Sequence, residues 1–373
     1  MKKILMIATL AGTIEGFLTS HIKQLEDLGY RVDLACNTKG ELFTDDLKKN
    51  TWHHLEFSRT PFSIDNLKAA YHLRCLLKNE NYDIIHLHTP IASFIGRFVA
   101  HLAKSKSTIY TAHGFHFYKG APLINWLIYY PIEWLAMRWT DKIITINQED
   151  FEMAKKMACR RNHIYKINGV GLDIKKYSEG NRYKILNEFN FSKKDFVITI
   201  IGELNRNKNQ IQLIKAVETL KEDVKLLIVG SGPMNEKLKK YVTLKKLDNR
   251  VKFLSFRLDI NDIIAASSIL ASLSYREGLP RNIMEGMAQG KAFVATDIRG
   301  NRDIIKDGMN GFLTEPGNYY DTAKQIKKLQ NKELLDTIKL TNLSEVKNYS
   351  DEKILENLKR IVAQGGGYIN ELD

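Results

Sequence analysis

The chain has 373 residues, 44% of them hydrophobic and 27% charged, which excludes a disordered or fibrous protein and leaves room for two domains of ~150 residues or more. With 56 Lys and Arg against 43 Asp and Glu the net charge is +13, which suits an anionic partner (nucleic acid, phosphorylated substrate or anionic lipid) or a Lys-rich surface that keeps the protein in solution. The excess is dispersed, 24 basic and 18 acidic side chains up to residue 180 and 32 and 25 beyond it, and no zinc-finger, RNA-recognition or basic-zipper pattern occurs, which argues against nucleic acid.

Lys2 and Lys3 followed by apolar residues 4–12 resemble a short signal peptide, and equally a buried first strand. The strand reading is favoured because the alternation continues in register. Apolar, β-branched runs follow at 31–36, 84–88, 108–112, 142–146 and 164–167, separated by amphipathic stretches such as 17–28, stopped by Gly29, and 64–78. Such strands between helices are the pattern of a parallel sheet covered on both faces. Within this half, residues 123–137 are the most apolar stretch, too short to span a bilayer. Three of the four tryptophans, Trp126, Trp134 and Trp139, fall there or just beyond it, with Lys119, Arg138 and Lys142 flanking. That composition fits a membrane interface or a core helix with large side chains. Cys36, Cys75 and Cys159 are few, odd in number and far apart, as in a reducing compartment.

The pattern pauses around 168–177 and a less hydrophobic segment, 178–194, follows. Strand-like runs then restart at 196–201, 225–229, 251–254, 269–273, 292–296 and 311–313, and a final helical stretch covers 351–364. The reading is two doubly wound α/β domains, with ligands at the carboxyl ends of the strands. Three glycine-bearing turns follow strands: Gly12 to Gly16, Gly202 to Asn209, and Gly230-Ser-Gly232-Pro. Each is either an anion cradle or a tight turn, and none is a P-loop or a full dinucleotide fingerprint. Arg206 and Lys208 add two cations to the second, suited to a diphosphate.

The most specific segment is Tyr275-Arg-Glu277-Gly-Leu-Pro-Arg-Asn-Ile-Met-Glu285-Gly-Met-Ala-Gln-Gly290. A loop carrying Glu277 leads through Pro280 into a helix, with Glu285 more than one turn inside it. Two carboxylates so spaced can hold two hydroxyl-bearing groups of one ligand, with phosphate between them.

This Glu-x7-Glu element resembles that of the GT-B retaining glycosyltransferases of family 4, the group 1 type. The resemblance extends to Thr111-Ala-His113-Gly-Phe-His, Gly202-Glu-Leu through Lys208-Asn209, Gly230-Ser-Gly-Pro, Phe253-Leu-Ser-Phe-Arg257 and Thr296-Asp-Ile-Arg-Gly300-Asn-Arg302, and residues 112–150 are especially similar to capsule and exopolysaccharide transferases. It implies two Rossmann-like domains facing a central cleft: an acceptor domain over 1–175, a nucleotide-sugar donor domain over 176–350, and a helical segment, 351–373, packing back towards the first domain. Glu277 would then contact the donor sugar and Glu285 the ribose, Lys208 would neutralise the diphosphate, and the N–H groups of Gly278 and Leu279 would face it. His113 would approach the sugar, Gly12 the β-phosphate, and Arg257 would line the base pocket. Where the family commonly has Arg after the glycine this chain has Glu203, so Arg206 is the substitute considered.

The implied reaction is retaining transfer of a hexose or N-acetylhexosamine from a UDP-sugar to a lipid-linked saccharide, in capsule, exopolysaccharide or O-antigen assembly. The absence of Asp-x-Asp argues for catalysis without metal or other cofactor. The expected location is cytoplasmic, peripheral on an anionic inner membrane face. Set against this stand a UDP-sugar epimerase of the same twin-domain plan, a non-enzymatic nucleotide-binding protein, and, for His113 alone, a histidine packed for structure.

Overall fold

A computed structural model describes residues 1–39, 46–160 and 162–363, and divides the chain into two compact units. The first comprises 1–171 and 351–373, the second 172–350.

In the first unit the strands are β1 (Lys3–Leu10), β2 (Arg31–Asn37), β3 (Trp52–His54), β4 (Ile84–Leu87), β5 (Thr108–Ala112), β6 (Lys142–Thr145) and β7 (His163–Lys166). Its helices are α1 (Ala11–Phe17), α2 (Thr19–Asp27), α3 (Ile64–Asn79), α4 (Pro90–Leu102), α5 (Leu123–Met137) and α6 (Gln148–Met157). The sheet is wholly parallel in the order β3-β2-β1-β4-β5-β6-β7, so the winding reverses between β1 and β4. Residues 4–8 are buried throughout, which is what a strand covered on both faces demands and explains the unbroken apolar run.

Three local expectations are corrected. Residues 17–28 do not form one helix: Leu18 breaks the pattern, leaving α1 and α2. Gly12 and Gly16 sit inside α1 with helical backbone, so the first glycine stretch is a helical turn rather than a loop. Strand β3 went unread because Trp-His-His is three partly exposed residues on the sheet edge, with no apolar run.

The second unit holds β8 (Phe196–Ile201), β9 (Val224–Val229), β10 (Val251–Phe253), β11 (Ile269–Ser272), β12 (Ala292–Thr296) and β13 (Phe312–Thr314), parallel in the order β10-β9-β8-β11-β12-β13. Before, between and after them run α7 (Ile174–Tyr177), α8 (Arg182–Glu188), α9 (Gln210–Glu218), α10 (Asn235–Leu244), α11 (Ile260–Ala266), α12 (Arg281–Met287), α13 (Asn301–Ile304), α14 (Tyr319–Lys328) and α15 (Lys332–Glu345). The segment 178–194 contains α8, capped by the Asn181 side chain and burying Ile185 and Leu186. The last helix, α16 (Asp351–Ala363), belongs to the first unit, where the Lys142 ammonium donates to the Ile361 carbonyl at 2.5 Å. Gln364, the expected helix end, lies outside the described residues. Among those residues no helix is long and apolar enough to cross a membrane.

Candidate active site

Both sheets follow the doubly wound plan, which places ligands beyond the carboxyl ends of the strands where the winding reverses. In the second unit that point lies between β8 and β11. The loops leaving these strands, 202–209 and 273–280, are joined to one another. Tyr275 N–H donates to the Asn207 carbonyl at 2.8 Å, and the Asn207 side chain donates to the Arg276 carbonyl at 3.0 Å. Across this junction the Lys208 ammonium lies 2.6 Å from Glu277 Oε1. The same oxygen accepts from the Ser274 hydroxyl at 2.5 Å. Glu277 Oε1 is therefore held by a cation and a hydroxyl, and a strong charge-assisted pair stands beyond the carboxyl ends of the central strands.

The strand-to-helix turn after β12 supports this loop from below. Thr296 Oγ1 donates to the Ser274 carbonyl at 2.5 Å, Asn301 Nδ2 to the Thr296 carbonyl at 2.8 Å, and Arg299 Nε to the Glu277 carbonyl at 3.3 Å. Gly300 adopts φ 77°, and a Cβ there would stand 2.4 Å from the Gly278 carbonyl oxygen. The close approach of two backbones explains a glycine at this position. A similar approach joins the other glycine turn: a Cβ on Gly232 would meet the Leu204 backbone at 2.5 Å, and Leu204 N–H donates to the Ser231 carbonyl at 2.9 Å.

Pro280 is the residue before α12 rather than in its first turn, with extended backbone. Among the described residues, the N–H groups of Gly278 and Leu279 donate to no other protein atom. Glu285, the fifth residue of α12, is mostly buried and accepts from Arg281 Nε at 3.2 Å. Burial pushes its carboxyl above the ordinary value, against the pull of Arg281 and the Tyr177 hydroxyl from α7. Those two partners oppose the desolvation, which remains the larger effect.

Arg206 takes no part in the Lys208–Glu277 ion pair. It is exposed and lines a cavity of about 230 Å³ with Asn209, Gln210, Met234 and Tyr275, while Glu203 accepts from the Asn205 side chain at 2.9 Å. Arg257, beyond β10, is fully engaged: its guanidinium pairs with Glu188 at 2.6 and 2.9 Å and with Asp259 at 2.7 and 2.8 Å. Both carboxylates are held below their usual range by it, so its charge is already matched and its planar face and one Nη1 hydrogen are left for a ligand.

The other two expected site residues belong to the first unit. Gly12 is the second residue of α1, directly after β1 at that sheet's reversal point. His113 follows β5 and meets His88 Nδ1 through its Nε2 at 3.0 Å, the rings stacked. His86 lies two residues before His88 on the same face of β4, its ring 4.3 Å from that of His88 and its Nε2 2.8 Å from Thr111 Oγ1. His21 of α2 completes the group, with no hydrogen bond of good geometry and the Val170 backbone as a weak polar contact. Burial lowers all four rings, His21 and His113 to about 4 and His86 to about 3, with His88 also well below its ordinary value. All are neutral at pH 7. Sequence reasoning named only His113; the alternation His86-Leu87-His88 was the available signal for the others. Thr296 and Asn301 were likewise missed as supports of this loop, because their role is a tertiary contact, and Ser274, three residues before Glu277, was a local signal left unread. Among the described residues no group of three or more His, Cys, Asp or Glu is placed to hold a metal ion.

Comparison with known proteins agrees with this architecture. Residues 181–347 match the model of the glycosyl transferases group 1, and residues 3–147 that of the glycosyl transferase 4-like family. The chain is 36% identical over 339 residues to EpsD of Bacillus subtilis, covering 89% of this chain and 88% of that protein. It is 29% identical to an Escherichia coli UDP-Gal:alpha-D-GlcNAc-diphosphoundecaprenol alpha-1,3-galactosyltransferase, over 77% of this chain and 76% of the other. Among solved structures, Anabaena HepE in complex with UDP and glucose superposes with a TM-score of 0.81 at 22% identity, over 97% of this chain and 100% of that one.

Proposed function

This chain belongs to the group 1 glycosyl transferases and has their GT-B fold, and from that premise we propose that it moves a hexose or N-acetylhexosamine from a UDP-sugar to a lipid-linked saccharide in capsule, exopolysaccharide or O-antigen assembly. The observation that carries the reading is the Lys208–Glu277 pair at the reversal point of the second sheet. A diphosphate arriving there is drawn to Lys208 and to the unpaired N–H groups of Gly278 and Leu279. Engaging Lys208 loosens its hold on Glu277, whose carboxylate then accepts from the sugar's hydroxyls while Ser274 keeps it oriented. Glu285, oriented by Arg281 and the Tyr177 hydroxyl, accepts from the ribose hydroxyls, and the flat Arg257 guanidinium borders the base. Arg206 adds positive potential at the flank of the diphosphate.

In this account the chemistry is departure of UDP from the anomeric carbon as the acceptor hydroxyl attacks the same face, with retained configuration. Negative charge grows on the diphosphate and meets a fixed ammonium and backbone dipoles, with no metal required. In the first unit, the neutral His113 is the proposed contact to the transferred sugar and Gly12 to the β-phosphate. The lipid-linked acceptor is supported by the E. coli relative, whose name gives a diphosphoundecaprenol substrate.

Calorimetry separates the two carboxylates. Glu285→Ala is expected to weaken UDP binding by about tenfold or more, the value of a hydrogen bond to a charged group. Glu277→Gln is expected to abolish transfer while UDP binding is retained or strengthened, since it removes the contact to the sugar and releases Lys208 from its ion pair. Unchanged UDP affinity in the first variant, or normal turnover in the second, removes that residue from the site.

A further inference from the structure

Helix α5 has two unlike halves. At 100° per residue, Trp126, Tyr129, Tyr130, Glu133, Ala136 and Met137 share one side and Leu123, Ile124, Leu127, Ile128, Ile132 and Leu135 the other. The first side is docked on the core of its unit. Phe117 meets Trp126 and Tyr130 ring to ring, and Glu133 pairs with the fully buried Arg97 of α4 at 2.5 and 3.0 Å. Arg97 in turn lies 4.1 Å from the Tyr110 ring centroid. The helix is thus fixed in rotation, and its second side cannot turn inward. That side is open: Leu123 is 79% and Leu127 73% exposed, and no charged residue interrupts it.

An apolar half-cylinder this complete demands a cover. A protein partner would be met with hydrogen-bonding groups at roughly one per 100–200 Å² of interface, and this face offers only the Trp134 indole. A bilayer asks for none. The rim has the matching character: Arg138 lies over the Trp134 ring at 3.5 Å, Lys119 is exposed before the helix begins, Lys104 is exposed just after α4, the helix packed beside it, and Arg74 and Lys78 are exposed on α3, which packs on α4 in turn. Fifteen residues rise about 22 Å, short of the ~30 Å hydrocarbon core, so the helix lies in the interface and does not span it.

We infer that the open half of α5 seats in the headgroup–acyl boundary of an anionic bilayer, with Trp134 and Arg138 at the headgroup level. Its purpose rests on the proposed lipid-linked acceptor; its existence rests on the helix alone. The probe is phosphatidylglycerol-containing vesicles beside pure phosphatidylcholine ones, at low salt. The full chain is expected to sediment with the anionic vesicles, and L127E/I128E to lower the bound fraction about tenfold by placing charge in the apolar boundary. Brominated acyl chains are expected to quench tryptophan emission of the unaltered protein, and less so in W134F, which tests the contact without a disruptive change. Retained UDP affinity and circular dichroism certify the folding of L127E/I128E.

An unaltered protein that stays in the supernatant overturns the inference. So does a double variant that binds vesicles as well as the parent, or a dimer that L127E/I128E dissolves while vesicle binding is unchanged. Transfer to a short-chain, water-soluble acceptor keeps the two readings apart. Transfer without vesicle binding removes the membrane surface and leaves the enzyme, whereas vesicle binding without transfer to any lipid-diphosphate acceptor does the reverse.

Discussion

Neutral histidines and one ion pair define the chemistry at the residue scale. His21, His86, His88 and His113 are lowered chiefly by burial, so the unfolded chain takes up protons near pH 6.5 while the folded rings resist to about 4 or below. Their contribution to stability is complete above the unfolded value and is lost as the pH falls through that window. Thermal melts are expected to shift down between pH 7 and pH 5, with a shallower slope in His21→Leu; a melting temperature flat over that range would contradict the buried neutral cluster. At the donor end, Gly300→Ala puts a methyl against the Gly278 carbonyl at positive φ and is expected to cost more than about 1 kcal/mol, together with nucleotide affinity. Chemical denaturation and UDP titration of that variant check both. Of this site the sequence made legible the residues whose spacing is local: Glu277 and Glu285 on one loop and helix, and Lys208 near its strand end. Of the partners that hold them, Thr296, Asn301 and Tyr177 come from separate stretches of chain, and nothing in a linear pattern marks such contacts, whereas Ser274 lies three residues before Glu277. Motif position names Arg257 for the base pocket, and its pairs with Glu188 and Asp259, which match its charge, carry no such linear signal.

The helix α5 and its anchor decide what happens at the element scale. Arg97→Met leaves Glu133 charged and buried without its partner, and such broken pairs cost about 3–5 kcal/mol. The double change with Glu133→Leu is expected to recover most of that loss, because it removes both charges. Urea midpoints of the three proteins test this, and a single variant as stable as the parent would mean that the pair does not hold α5. Strand positions were readable to within a residue or two because buried parallel strands are continuous apolar runs, as at Thr108–Ala112 and Phe196–Ile201. Where that signal is weak the reading failed. Edge strand β3 carries polar and aromatic residues, α8 rests on an Asn181 cap and only two buried side chains, and the break between α1 and α2 at Leu18 is invisible to amphipathic periodicity.

For the whole molecule, the net charge of +13 resolves into separate tasks. Arg97 and Arg257 are spent on internal carboxylates, Lys208 and Arg206 stand at the proposed diphosphate site, and Lys119 and Arg138 flank the apolar face of α5. Two parallel sheets, each with a reversal point, give the chain two places where ligands gather, and the family it belongs to uses such a plan for glycosyl transfer. The most direct test of that claim is a transfer assay with a panel of labelled UDP-sugars and saccharides linked to a lipid diphosphate, following UDP release and the product together. The account predicts that one donor releases UDP only when the acceptor is present, that the sugar appears on the acceptor with its anomeric configuration retained, and that Glu277→Gln does neither. Conversion of the donor without an acceptor, or no consumption of any donor across the panel, would contradict it.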